Sequence, residues 1–267
     1  MKPGLRFVFR LGACVLRALT ALTIVVVSSG SMAQQILARF EVSGQIDSER
    51  VPPWLAGAAR LTGSVSFATT EERVTVSGDR YVVESTANGA AFLSRFFDDL
   101  KVVRRSEGSW IDGVQATTRY FERRGSTQPA TATIDYRSGK VTFARGPESP
   151  TRVETLKFMT SDTAALPFMF LGRQRPAGPV TVAYTDGRFL RTLTVDPTIV
   201  FSHTVAGKSV PAVRYVSRRA GPKDAEIELW IRAEDGFPLR LRLSSSRYGV
   251  RGEANLVELP PPFKRGA

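Results

Sequence analysis

The chain holds one histidine, one cysteine and no local motif that couples a nucleophile to a base. His203, in VFSHTV, can act as a general base only if the fold brings it a serine and an orienting carboxylate, and no Gly-x-Ser-x-Gly elbow supplies that serine. It reads as a structural or surface imidazole. The adjacent acids Asp98 and Asp99, like Glu71 and Glu72, project to opposite faces if they lie on strands, so neither pair forms one acid–base or calcium-binding unit. A zinc site would rest on carboxylates alone, and glycine-rich phosphate loops are absent. These residues predict no catalytic site, no metal and no cofactor.

The aromatic that asks for an explanation is Trp230, in EIELWIRAEDGFPLRLRL, where it falls among Glu226, Glu228 and Arg232. If the two arms pair around Asp235-Gly236 with residue 232 opposite 238, then Ile227, Leu229 and Ile231 meet Leu243, Leu241 and Leu239 on one face. The same register sets Trp230 against Arg240 and Glu228 against Arg242 on the other, each contact worth about 0.5 to 1 kcal/mol if exposed. Trp230 then covers the polar face by stacking on an arginine stem. The alternative reading is a ligand platform.

Short runs rich in Val, Thr, Phe and Tyr, separated by turn residues, predict a mainly antiparallel β protein. In TIDYRSGKVTF a two-residue Ser138-Gly139 turn sets Tyr136 opposite Val141 and Ile134 opposite Phe143. In VTVAYTDGRFLRTL an Asp186-Gly187 turn sets Tyr184 opposite Phe189 and Val180 opposite Leu193. Two segments break the pattern and predict short helices: GAAFLSRFF, which brings Phe92 and Phe96 together at helical spacing, and SDTAALPFMFLG, which places Pro167 in a first turn ahead of Phe168 and Met169. Phe92, Phe96, Phe168 and Met169 are expected as core or plug residues and are the candidate contacts or lid for an apolar ligand. Ser48 to Ala59, with Pro52-Pro53-Trp54, reads as a loop or short helical insertion.

The first 33 residues have the charged start, apolar run and Ser31-Met32-Ala33 end of a cleaved secretory signal, which predicts a mature chain starting at Gln34 and a periplasmic location. Lys2, Arg6, Arg10 and Arg17 leave with the signal and take the formal charge from +12 to about +8; Cys14 leaves too. Cleavage would leave a protein that is not integral to the membrane. The residual charge favours anionic lipid headgroups or envelope polymer as partners. Basic residues come in short pairs without an aromatic-rich motif, and export also argues against nucleic acid. Residues 34–259 read as one domain and 260–267, after the Pro260-Pro261-Pro262 run, as a flexible basic tail.

The run YVVEST, then FFDDLKVVRRSEGSWIDGVQATTRYFERR, ATIDYRSGKVTF, ELWIRAEDGFPLRLRL and YGVRGEANLVEL resembles the exported bacterial domain-of-unknown-function family 3108. The resemblance covers roughly residues 60 to 259 and contains no catalytic signature. It implies a periplasmic antiparallel sheet, strongly curved into a half-barrel or barrel. By analogy with periplasmic lipid carriers, the expected role is a non-enzymatic binder or carrier of an apolar or amphipathic envelope ligand. The alternatives are an envelope structural or interaction module and, less favoured, a cell-wall or lipid hydrolase.

Overall fold

The computed structural model describes residues 33–46, 65–90, 101–146, 151–218, 226–245 and 250–264. Fifteen strands follow in chain order: β1 Gln34–Ile46, β2 Val65–Ser77, β3 Arg80–Gly89, β4 Val102–Ile111, β5 Val114–Arg124, β6 Ala130–Asp135, β7 Lys140–Arg145, β8 Arg152–Thr155, β9 Thr160–Asp162, β10 Val180–Thr185, β11 Leu190–Val205, β12 Lys208–Ser217, β13 Glu226–Arg232, β14 Pro238–Ser245 and β15 Val250–Leu256. They make one sheet in which β1 pairs with β15, so that β8 and β9 become its two ends. All pairs are antiparallel except β9 with β10.

The expected closed or strongly curved barrel is not what forms: the sheet stays open and is not strongly curled, and it carries no α-helix among the described residues. Its end strands are four and three residues long, too short to form an extended closing seam. Segment 160–172 covers the inner face instead. Its first three residues pair with β10, which removes them from the expected helix, and Leu166–Phe168 make a single 3-10 turn with Pro167 inside it. Gly89 to Phe97, the other expected helix, lies beyond its first two residues outside the described chain.

Strand alternation sorts the side chains. Ile36, Ala38 and Phe40 of β1 share the inner face with Val74 and Val76 of β2 and with Tyr81 and Val83 of β3, and all are buried. Ala164, Ala165, Phe168 and Leu171 of the covering segment belong to the same core. Met169 and Phe170 instead join Val182, Val195, Val213, Leu229 and Ile231 in a second cluster. The segment thus welds two halves of one sheet. Area removed from water, at about 25 cal/mol per Å², makes this weld largely apolar.

Two hairpin registers differ from expectation by two residues. Ile134 faces Val141 and Ala132 faces Phe143; Tyr184 faces Arg191 and Val182 faces Leu193. In both loops an aspartate side chain accepts two backbone N–H groups, Asp135 from Arg137 and Ser138 and Asp186 from Arg188 and Phe189. That asparagine-type turn widens each loop to four residues, and a shift of two keeps every side chain on its face. The Trp230 hairpin keeps its expected register from Ile227–Leu243 to Trp230–Arg240, then a bulge sets Ile231 opposite Pro238. Two expectations about its faces change. Leu243 is 46% exposed, whereas Trp230 is buried between Arg214 and Arg240 with its ring edge-on to Phe201.

Gly236, in the turn of that hairpin, has φ +74, and a Cβ there would lie 2.1 Å from the Phe170 carbonyl oxygen. Gly236→Ala should lose at least ~3 kcal/mol, the sum of left-handed strain and a backbone collision. Gly78→Ala, at φ +59 with open space around it, should lose only about 1 kcal/mol. Urea unfolding of both variants checks the difference.

Candidate functional site

Carboxylates at or near the buried face organise the polar side of this fold, and each is satisfied differently. Asp162 is fully buried and accepts hydrogen bonds from Ser106 Oγ, from Thr117 Oγ1 at 2.7 Å and from the N–H groups of Ala164 and Ala165 at 2.8 and 3.0 Å. Burial pushes its pKa up against the pull of those four donors. Around it, Tyr81 OH lies 2.9 Å from Thr117 Oγ1, and Tyr136 OH lies within 3.0 Å of the Thr117 and Thr160 carbonyls. This knot seats the start of the covering segment on β4 and β5.

Arg232 and Asp235 fix its other end. They form a two-pronged buried pair at 2.8 and 2.7 Å. Arg232 also donates to the carbonyls of Pro260 and Pro261, Asp235 accepts from Phe263 N at 2.7 Å, and the Asp235 carbonyl accepts from Gly172 N at 2.7 Å. Residues 260–264, expected as the start of a flexible tail, are held in place: Pro260 and Phe263 are buried. Proline has no N–H to pair, so its carbonyl is the group that a buried arginine can anchor.

The pinned tail borders an open groove of about 1070 Å³ on β1 to β5. On β2 it touches residues 71 to 73, on β3 84 to 86, on β4 103 to 105 and on β5 Phe121 alone. In each triplet the outer two residues and Phe121 belong to the face opposite the core, which places most of the lining of these four strands on the outward face. One row across it reads Leu37, Arg73, Glu84, Arg105, Phe121, and the next Arg39, Glu71, Thr86, Val103. At about 4.8 Å per strand the first row spans about 19 Å. Glu84 pairs with both Arg73 and Arg105, and Arg105 also reaches Glu107 at 2.9 Å. Leu37 is 64% exposed and Val257, from the tail side, 42%. The groove can therefore take apolar groups at its ends and polar groups across its middle.

Behind the groove floor runs a row of opposite character: Ala38, Glu72, Ser85, Arg104, Glu122. Burial alone would raise Glu122, but bonds from Arg104 and Arg124 outweigh it and hold that carboxyl below its usual value. Glu72 has less help. Its Oε1 accepts from Ser85 Oγ at 2.8 Å, its Oε2 is buried without a hydrogen bond, and burial pushes its pKa up to about 7 despite Ser85 and the Arg104 charge.

Of the residues singled out from sequence, Phe168 is 1% exposed and packs edge-on against Phe237 at 5.9 Å, and Met169 is buried beside Phe170. Neither lines the groove; Phe92 and Phe96 lie outside the described residues. His203 sits near Arg240; partial burial, then that charge, hold its imidazole below the usual value and so neutral at neutral pH. Among the described residues no cluster of three His, Cys, Asp or Glu could hold a metal, and no helix is long and apolar enough to cross a membrane. The groove residues were missed, although Leu37 carries the same signal as Trp230, an apolar side chain on the polar side of an alternating strand. No protein-family model and no curated protein matches the chain, so the resemblance noted above rests on its quoted segments.

Two outcomes follow. Asp235→Ala strands the buried Arg232 cation and should lose about 3 to 5 kcal/mol in urea unfolding. Glu72 has a folded pKa near 7 against 4.5 for the free group, so the unfolded state binds fewer protons between those values. Stability should fall as pH rises from about 4.5 to about 7 and level off above, by on the order of 3 kcal/mol from this group. Subtracting the Glu72→Gln curve from the wild-type curve should isolate that slope.

Proposed function

We propose that the protein is an exported, non-enzymatic periplasmic binding protein that holds an apolar or amphipathic envelope ligand in the outward groove. The observation that carries this reading is Leu37, a large apolar side chain left 64% exposed at the end of a charged row in a groove that exposed Val257 also lines. An apolar group laid over it leaves water, and the arginine–glutamate ladder offers partners to the polar remainder of the ligand. Groove charges balance, with Arg39, Arg73 and Arg105 against Glu71, Glu84 and Glu258. The preferred head is thus neutral or zwitterionic; the excess positive charge of the chain lies outside the groove. The leader-like N-terminus and the likeness to family 3108 support the periplasmic placement.

The dye 1-anilinonaphthalene-8-sulfonate, an amphipathic anion, tests the groove. Wild-type protein should give a saturable fluorescence gain, and Leu37→Asp should weaken it at least about tenfold, the equivalent of losing most of one buried leucine contact. Leu243→Asp, at an exposed leucine outside the groove, should bind like wild type. Raising salt from 50 to 500 mM should change the affinity less than about twofold, because the groove carries no net charge. Equal loss in both leucine variants would count against the groove.

A further inference from the structure

The strand that carries the groove charges Glu71 and Arg73 also carries, between them, the one carboxylate of the hidden row that lacks a full set of partners. Glu72 Oε2 is sealed from water and accepts no hydrogen bond, while Oε1 accepts one from Ser85. The groups facing it are Ala38 on β1, Ser85 on β3 and Arg104 on β4. Arg104 acts on it through charge alone, while its Nε donates to Glu122 at 2.9 Å. Glu122 is itself shared with Arg124 at 2.8 Å and Arg188 at 3.3 Å. Two acids thus flank one guanidinium along the row, Glu72 two strands away on β2 and Glu122 beside it on β5, and the acid with more cations holds its Nε.

An ionised carboxylate with a sealed, unbonded oxygen is a poor ground state, whereas a neutral one is tolerated. We infer that Glu72 is a proton-operated element of the groove: neutral, it leaves β2 seated as described, and ionised, it draws Arg104 toward itself or draws water in, moving the strand that presents Glu71 and Arg73. This inference rests on the groove being the binding site. Ligand binding that requires the seated strand is then linked to proton binding at one group, and burial already places that group's titration near neutrality.

If the ligand binds only the neutral form, affinity falls about tenfold between pH 6 and pH 8 for a group titrating at about 7. Titrating 1-anilinonaphthalene-8-sulfonate, whose sulfonate keeps one charge over this range, into wild type, Glu72→Gln, His203→Ala and Leu37→Asp from pH 5.5 to 8.5 reads this directly. Wild type and His203→Ala should show the fall, and Glu72→Gln should stay flat within about twofold. A flat wild type, or an equal fall in Glu72→Gln, overturns the inference while the Leu37→Asp comparison still supports the groove. Dye binding untouched by Leu37→Asp removes the groove reading and this inference together, and the separate pH-dependence of unfolding then shows whether Glu72 titrates near neutrality.

Discussion

The Arg232–Asp235 pair is the constraint on which the rest depends, because three chain segments that share no sequence neighbourhood end on it. The hairpin β13–β14 closes around it, residues 260 to 263 hang from it by two proline carbonyls and one N–H, and the covering segment stops against its backbone at Gly172. Desolvating two charges is expensive, and the attraction repays it only when every remaining donor and acceptor is matched. Here the guanidinium meets a carboxylate edge and two carbonyls, and the carboxylate also takes Phe237 N. A misplaced tail would leave part of that set unmatched, so the pair specifies one arrangement of hairpin, tail and segment.

An open sheet makes such pins necessary. A barrel hides its inner face by closure, but here a thirteen-residue stretch with one 3-10 turn does the hiding, and irregular backbone brings polar groups into an apolar space. Asp162 answers that demand with four acceptor contacts, two from the stretch's own N–H groups and two that bind it to β4 and β5. Glu122 on β5 and Glu72 on β2, in one row on the same face, show the alternatives. Three arginines reach Glu122 and keep it charged, whereas Glu72 has one serine and a distracted arginine, and burial wins. Identical chemistry ends in opposite pKa shifts because the number of donors within reach differs.

How much of this was legible follows from what alternation encodes. A period of two assigns faces, so Ile134, Val141, Leu229 and Leu241 were placed on their proper sides and the Trp230–Arg240 and Glu228–Arg242 partners were found. Register is decided by loops, and Asp135 and Asp186 widened theirs through side-chain bonds that the turn residues alone did not announce. The covering segment read as a helix because its Phe and Met spacing suits one; pairing with β10 and the Asp162 knot are long-range contacts that no local window contains. Glu72 was set aside because it neighbours Glu71, a sound reason to deny a shared acid pair. That same alternation puts one of the two in the groove and hides the other behind it.

The groove owes its existence to this division between faces. The inner face of β1 to β5 is occupied by core and covering segment, which leaves the outward face as the side where a ligand can lie without displacing packed side chains. Its wall is the tail held by Arg232, and its floor is the backbone of strands whose inner side chains include Glu72, Ser85 and Arg104. Wall and floor are therefore held by buried polar contacts behind the groove. Successive side chains on one strand point to opposite faces and share a single backbone, so Glu71 and Arg73 on the outer face flank Glu72 on the inner one. The recognition proposed for the outer face and the charge on the inner face are in this way two readings of the same few residues of β2.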